Sequence, residues 1–591
     1  MKLIKTLLLA CLFGGFGHLA HAQMQWKDPL QEEFPTVQGR WWQDELKNNY
    51  HRFPDRAKGV VPNGPWSQSL HSAGLSVCFR SNSPNIHVRY TTGIGMRQMF
   101  HMPSTGSSGL DLYATDRDGE IRWVKGNMSS GDTITFKFEN ISYRNANKDF
   151  GYEYELYLPL FIEVKHLEIG VEEGRMLQFL PVSREQPVVF YGTSIAHGGC
   201  ASRPGMSWQN ILRREMGHPL VNLGFSGNGQ LQDPVFDLLG EVPAKLYVID
   251  CMPNMTGISD SIVPRILRGV HNLRRKSGAP ILLVEHCGYP GERSSDKRHE
   301  AYQRANDQLK IAFDSLTADS IPGIYYMTKE ELGLKEDDTV DGTHPNDLGM
   351  RHLADGYKKK LWPLLGYTPG TAYKPCTQQR DFYDWRARHE EVLRMGQEGG
   401  DFDVVMIGNS ITHFWSGEPS ETLHRGDDSW KKLFGKRRVL NMGFGWDRIE
   451  NVLWRLYHGE LDGFKAKKIV VMLGTNNISA EPRYFARIPS GIMQVIDCIR
   501  KRQPEAEIYV QAIYPRRNEL EKVGEVNAKV KERVLIRRIK DKKIHFIDPG
   551  SVLLDETGEG IREELYAGDG LHPAEKGYRL IGEKLKGYLG L

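Results

Sequence analysis

The sequence predicts an α/β protein made of two doubly wound units in tandem behind an antiparallel β-sandwich. Three observations carry this expectation. Short alternating strands fill the first part of the chain, fully apolar runs separated by amphipathic stretches fill the rest, and that second texture occurs twice. The 591 residues suffice for three or four domains, and 40% hydrophobic against 26% charged residues is a globular balance rather than a disordered one. Lys and Arg number 77 against 74 Asp and Glu, so no net field gathers polyanions and no nucleic-acid partner is expected.

Residues 1–22 read as an export signal. Lys2 and Lys5 precede an apolar run from Leu7 to Phe16, and Ala20-His21-Ala22 supplies a small-x-small cleavage site. Cleavage after Ala22 implies a periplasmic or secreted protein. No later segment reaches about 18 uninterrupted apolar residues, so no membrane span is expected. The remaining cysteines, Cys78, Cys200, Cys251, Cys287, Cys376 and Cys498, form no C-x-x-C pair, which argues against zinc and favours buried thiols.

Residues 23–182 carry the sandwich. Leu75-Ser-Val-Cys-Phe, Asn85-Ile-His-Val-Arg-Tyr, Asp132-Thr-Ile-Thr-Phe-Lys-Phe and His166-Leu-Glu-Ile-Gly-Val alternate in strand register between turn residues, as in a sandwich or jelly roll. Such a module could bind a glycan or serve as a brace. Residues 183–366 form the first α/β unit, from the runs Val188-Val-Phe-Tyr, Leu246-Tyr-Val-Ile-Asp, Ile281-Leu-Leu-Val-Glu and Gly323-Ile-Tyr-Tyr-Met. Strands apolar on both faces belong to a parallel sheet covered by helices, and Trp208, Ile211, Leu212 and Met216 recur at helical spacing. Residues 367–378, with Pro369, Gly370 and Pro375, read as a linker. Residues 379–591 repeat the texture through Val404-Val-Met-Ile, Arg438-Val-Leu-Asn, Ile469-Val-Val-Met-Leu, Ile508-Tyr-Val-Gln-Ala-Ile and Ile544-His-Phe-Ile, with Val452, Leu453, Leu456 and Tyr457 on one helical face.

Four elements recur in the same order in both units. After the first strand stand Gly192-Thr193-Ser194-Ile195 and Gly408-Asn409-Ser410-Ile411, placing a serine in the crevice where open α/β sheets bind ligands. Near the C-terminal end stand Asp341-Gly-Thr-His344 and Asp569-Gly-Leu-His572, where a carboxylate can hold one ring nitrogen and leave the other for the serine proton. Between them lie Asn222-Leu-Gly-Phe-Ser-Gly227 and Asn441-Met-Gly-Phe-Gly-Trp446 after the second strand, then Asn254 and Asn476 after the third. From these positions backbone N–H groups and an amide side chain can face an oxyanion.

These blocks resemble the SGNH hydrolases, also called the GDSL esterases. The second unit is similar to the branch of platelet-activating-factor acetylhydrolase through Ile407-Gly-Asn-Ser410, Val452-Leu-Trp-Arg-Leu456, Gly474-Thr-Asn-Asn477 and Asp569-Gly-Leu-His572-Pro. The resemblance implies a flavodoxin-like three-layer α/β/α fold, no metal or organic cofactor, and hydrolysis of small acyl esters. It makes Ser194 and Ser410 the nucleophiles, His344 and His572 the bases, and Asp341 and Asp569 their orienting partners. Asn254 and Asn476 become oxyanion donors, with the backbone of Ser194, Gly227, Ser410 and Trp446. Thr193 and Asn409 replace the family's Asp, Met252 replaces a glycine ahead of Asn254, and Trp446 stands at a glycine position, with its ring expected to point away or to wall the acyl pocket.

Export, the sandwich and two esterase heads together point to removal of acyl groups, acetyl foremost, from an oligosaccharide or polysaccharide. Two other readings stand beside it: a lipid or aryl ester as substrate, or one head kept as a non-catalytic glycan-binding or scaffolding module. Trp415, Trp430 and Trp454 offer faces for sugar stacking, with core packing the expected role of Trp454. His413, three residues after Ser410, is expected to line the pocket or take a hydrogen bond.

Overall fold

The computed structural model describes residues 23–289, 295–368, 373–480 and 482–591. The expected signal sequence and the linker residues Pro369 and Gly370 lie outside them.

The N-terminal region is a two-sheet antiparallel sandwich. Strands β1 (Met24–Lys27), β2 (Val37–Gln38), β3 (Ser76–Ser81), β4 (Ile86–Gly95), β5 (Asp111–Thr115), β6 (Ile121–Val124), β7 (Asn127–Ser129), β8 (Thr133–Phe138), β9 (Tyr152–Tyr157), β10 (Ile162–Glu172) and β11 (Leu177–Phe179) pair in the orders β1-β10-β4-β8-β7 and β11-β3-β9-β5-β6, with β2 beside β3. Alternate residues point inward: Val77 and Phe79, Val88 and Tyr90, Leu112 and Ala114, Tyr154 and Leu156 share one core. The alternation read from sequence is therefore the two-residue period of half-buried strands.

Each α/β unit is a five-stranded parallel sheet. In the first head β12 (Val188–Gly192), β13 (Leu220–Gly224), β14 (Leu246–Asp250), β15 (Ile281–Val284) and β16 (Ile324–Met327) lie in the order β13-β12-β14-β15-β16. The second repeats it with β17 (Phe402–Gly408), β18 (Val439–Gly443), β19 (Ala466–Met472), β20 (Glu507–Gln511) and β21 (Ile544–Ile547) in the order β18-β17-β19-β20-β21. This is the flavodoxin-like 2-1-3-4-5 order, with its switch point beside the first strand. Both faces are covered, since Val188 and Phe190 of β12 pack into one layer and Val189 and Tyr191 into the other.

The heads stack face to back. Helices Trp208–Met216 and Asp347–Leu364 of the first share a core with helices Ile449–Tyr457 and Ile488–Arg502 of the second. At their junction Glu185 bonds His218 Nδ1 (2.6 Å), Lys245 Nζ (3.1 Å) and His458 Nδ1 (2.7 Å), so this buried carboxylate is fully partnered across the interface. Among the described residues the cysteines are free, with Cys200, Cys251, Cys287 and Cys498 buried. Among the described residues no helix is long and apolar enough to cross a membrane.

Candidate active site

β12 and β17 each run into a single helical turn, Ser194–His197 and Ser410–His413. The residue before each serine caps that turn: Thr193 Oγ1 accepts from Ile195 N (3.4 Å), and Asn409 Oδ1 accepts from Ile411 N (3.0 Å). Any residue with a short oxygen-bearing side chain fills this post, which is why Thr and Asn stand there without loss of geometry. Beneath the turns pass Gly224 and Gly443, where an added Cβ would lie 2.3 Å from His197 N and from His413 N. Asn222 and Asn441 lie inside β13 and β18, not after them. Their Oδ1 atoms accept from Gly224 N and Gly443 N (2.8 Å each), and their Nδ2 groups donate to Ala196 O (2.9 Å) and Thr412 O (3.0 Å). These two asparagines brace the serine turn and do not face an oxyanion.

The serine, histidine and aspartate form a continuous chain of hydrogen bonds in both heads. Ser194 Oγ is 2.9 Å from His344 Nε2, and His344 Nδ1 is 2.8 Å from Asp341 Oδ2. In the second head Ser410 Oγ is 2.8 Å from His572 Nε2, and His572 Nδ1 is 2.6 Å from Asp569 Oδ2. The D-x-x-H loop is closed each time by one antiparallel bridge, Thr339 to Pro345 and Tyr566 to Pro573. The second carboxylate oxygen is tied down locally. Asp341 Oδ1 accepts from Thr343 N (3.0 Å) and His344 N (2.8 Å), and Asp569 Oδ1 from Leu571 N (2.9 Å) and His572 N (2.8 Å). Partial burial pushes both carboxyls up, but the backbone N–H groups and the histidine rings outweigh it, so both lie below the ordinary carboxylate range. Each aspartate is thereby kept ionised against its histidine.

The second-block turn has the same unusual backbone in both heads, at Gly227 (φ +69°) and Trp446 (φ +60°). A tryptophan in this left-handed region costs roughly 1 kcal/mol, a strain of the kind concentrated at functional sites. Its ring points outward and is 50% exposed. The bonds Asn228 N to Phe225 O (2.9 Å) and Asp447 N to Phe444 O (3.2 Å) close the turns around these residues, leaving the N–H groups of Gly227 and Trp446 outside them. Asn254 Oδ1 accepts from Gly229 N (3.1 Å), whereas Asn476 Nδ2 donates to Asp447 O (2.9 Å). Each amide is thus pinned to the neighbouring turn and keeps at least one N–H for another acceptor. Met252 does reshape its loop: it opens a short 3-10 helix, Met252–Asn254, and is buried in the core, whereas its counterpart Gly474 sits at φ +114° against Ile513.

Trp415 and Trp430 offer no stacking face. Both are buried, Trp415 against Tyr578 (4.9 Å between ring centroids) and Trp430 against Phe434 (4.6 Å). His413 is buried too; its Nδ1 accepts from Gly445 N (3.1 Å), and burial lowers it to about 4, so it is a neutral brace. The aromatic surfaces at the mouths come from residues the sequence did not single out. In the second head Phe382, 59% exposed, stacks on Phe414 (5.7 Å), whose ring is 6.2 Å from His572. In the first head the sandwich contributes His101, with its ring 5.3 Å from that of His344.

Among the described residues two groups of side chains have metal-ligand chemistry: His101, Cys200 and His344, and Glu185, His218 and His458, with ligand atoms within 4.8 Å of one another in each. In the second, all four ring nitrogens are engaged, by Glu185, Tyr367 and Met216 O. The first shares His344 with the serine chain.

Residues 185–362 match the GDSL-like lipase/acylhydrolase family, and residues 406–580 match it again. Residues 24–177 match a family described as the N-terminus of SGNH-hydrolase-type esterases. The chain is similar to the alpha1 subunit of platelet-activating factor acetylhydrolase IB from Rattus norvegicus, 28% identical over 213 residues, 36% of this chain and 85% of that protein. The Homo sapiens subunit is 29% identical over 194 residues, 33% and 78% of the two chains. A crystal structure of a GDSL-like lipase from Bacteroides ovatus is similar over 58% of this chain and 98% of its own, with 29% identity and a TM-score of 0.53. The chain is a carboxylic ester hydrolase of the GDSL/SGNH family, with two tandem copies of the family's hydrolase domain.

Proposed function

We propose that both heads are active serine esterases and that they remove acetyl groups from carbohydrate esters outside the cytoplasm. The observation that carries the two-headed reading is the pair of complete chains, Ser194–His344–Asp341 and Ser410–His572–Asp569. The acetyl preference draws on the acetylhydrolase relatives. Export draws on residues 1–22, and the carbohydrate on the exposed aromatic rings of Phe100, Phe382 and Trp446.

The serine hydroxyl forms a bond to the ester carbonyl carbon while its proton passes to histidine Nε2. The aspartate, bonded to Nδ1, stabilises the resulting imidazolium. The negative carbonyl oxygen is received by the N–H groups of Ser194 and Gly227 and the Asn254 amide, or of Ser410 and Trp446 and the Asn476 amide. Collapse breaks the bond to the sugar oxygen, which takes the proton from histidine and leaves. Water, deprotonated by the same histidine, then releases acetate.

Ser194→Ala and Ser410→Ala should each remove part of the acetylesterase activity of the full chain, and the double variant nearly all of it. Activity surviving the double variant overturns the serine assignment. Loss of all activity with one serine makes the other head silent.

A further inference from the structure

We propose that Phe100 and His101, on the sandwich loop between β4 and β5, form the leaving-group subsite of the first head and receive a pyranose ring there. This inference rests on the esterase reading of Ser194 and adds the residues that read its substrate.

The position follows from the chemistry of the base. His344 must hand its proton to the departing alcohol oxygen, so that alcohol lies beside the His344 ring, whereas the oxyanion donors Gly227 and Asn254 belong to other loops of the site. His101 occupies this side, its ring tilted 51° to that of His344. Its Nδ1 is shielded from solvent and has no hydrogen-bond partner among the described residues. A shielded ring nitrogen without a partner carries a desolvation cost. Burial, followed by the proximity of His344, lowers His101 below the ordinary histidine value, so at neutral pH the ring is uncharged and offers one donor and one acceptor.

Phe100 supplies the other half. It is 98% exposed, and its ring centroid lies 4.3 Å from that of His101 at a tilt of 34°. A large aromatic side chain this exposed, fixed at the rim of a catalytic centre, loses hydrophobic free energy until something flat covers it. A flat apolar face beside a neutral donor–acceptor pair suits a pyranose, whose C–H face stacks and whose hydroxyls hydrogen-bond at the edge.

The loop is held in place. Met99 and Met102 exchange backbone bonds (3.1 and 3.2 Å), and Ser108 Oγ donates to Arg97 O (2.8 Å). Thr105 Oγ1 donates to Ser202 O of the first head (2.7 Å), and Met102 is buried in that head's core. Gly106 packs so closely that an added Cβ would lie 2.1 Å from Ala201 O. A backbone held this way lowers the ordering cost of binding to that of the Phe100 side chain. In the second head the ring near His572 is Phe414, from the serine turn itself, so the two heads present different walls to the alcohol.

The test uses the full chain with Ser410→Ala, so that only the first head turns over, and compares monoacetylated methyl pyranosides with ethyl acetate, whose alcohol has no ring. Phe100→Ala and His101→Ala should raise KM for the pyranosides about tenfold and reduce kcat/KM for them far more than for ethyl acetate. Equal losses on both substrates would make these residues merely structural, and no loss on either would remove the subsite. In parallel, the Ser194→Ala, Ser410→Ala protein should bind methyl pyranoside in ligand-observed NMR, and Phe100→Ala should reduce that binding to the part contributed by the second head. This second readout needs no turnover, so it decides on the subsite even if the serine chemistry is wrong; binding unchanged by Phe100→Ala would refute the subsite.

Discussion

The buried carboxylate of Asp111, in the sandwich, accepts a hydrogen bond from the guanidinium of Arg203, in the first head. It also accepts from Gly205 N (3.0 Å) and from Trp123 Nε1 (2.6 Å), while Tyr113 Oη accepts from Arg203 (2.8 Å) and the Arg203 guanidinium lies 4.6 Å from the Trp123 ring centroid. Residues 109–113 read Gly-Leu-Asp-Leu-Tyr, so one short strand supplies both the carboxylate and the phenol that fix the sandwich to the hydrolase. Arg203 is partly exposed and keeps Tyr113, so losing Asp111 removes its charge-assisted bonds at a cost of about 1–3 kcal/mol. Asp111→Ala should therefore lower the first calorimetric transition by several degrees. Because Phe100 and His101 depend on this docking, it should also weaken pyranoside binding at the first head. An unchanged melting profile would show that the pair does not hold the domains together.

Asp250 predicts a pH dependence of stability in the first head. It ends β14, is buried, and accepts from Tyr357 Oη (2.9 Å). Burial pushes its carboxyl from an ordinary 3.8 up to about 7, and the Tyr357 bond offsets only part of that. Between those values the folded chain holds a proton that the unfolded chain has released, so stability is full below about pH 4 and is lost as pH rises through 7. Asp250→Asn keeps an acceptor for Tyr357 and removes the penalty. It should match the parent near pH 4 and be more stable at pH 8 by a few kcal/mol, on the order expected for a shift of this size. Met472 occupies the corresponding place in the second head, where burial instead pushes Asp447 up to about 6 and supplies a separate slope that ends near pH 6. Parallel melting curves for parent and variant across the range would refute the assignment.

Within the second head, measured after Ser194→Ala, Asp569→Asn should lower kcat by about 10⁴ with little change in melting temperature, because it puts the wrong tautomer of His572 opposite Ser410. Asn476→Ala should cost about 10²–10³ in kcat, with KM nearly unchanged, since its free N–H acts where oxyanion charge develops. A KM effect without a kcat effect would assign Asn476 to ground-state binding instead.

The proposed chemistry uses no metal, so EDTA should leave ester hydrolysis by both heads intact. The assay matters most for the first head, where His101 and Cys200 stand near His344. Turnover abolished by chelation and restored by a divalent ion would replace the serine with a metal-activated water.

The sequence by itself determined the strands, the helices and the Asp–His contacts of the proposed triads, because each is written in local pattern. Runs such as Val188-Val-Phe-Tyr are apolar on both faces only if a sheet is covered on both sides. Asp341 and His344, or Asp569 and His572, are three residues apart, so one turn brings them into contact whatever surrounds it. Recurrence of the serine, asparagine and histidine blocks in both heads then supplied the long-range pairing. What only the tertiary structure decided is which side chains meet across domains and which aromatic rings reach the surface. Trp415 and Phe382 are both aromatic residues near a catalytic serine or histidine in sequence or space, yet the first is core and the second is exposed, because the helices that bury Trp415 are distant in the chain. Asn222 opens the block that holds Gly227, and only the fold shows its amide bonded to Ala196 O beneath the serine turn. His101 carries no local signature of its neighbour His344; the sandwich brings them together, because Met102 leaves water for the first head's core and Arg203, Gly205 N and Trp123 Nε1 offset part of the cost of burying Asp111.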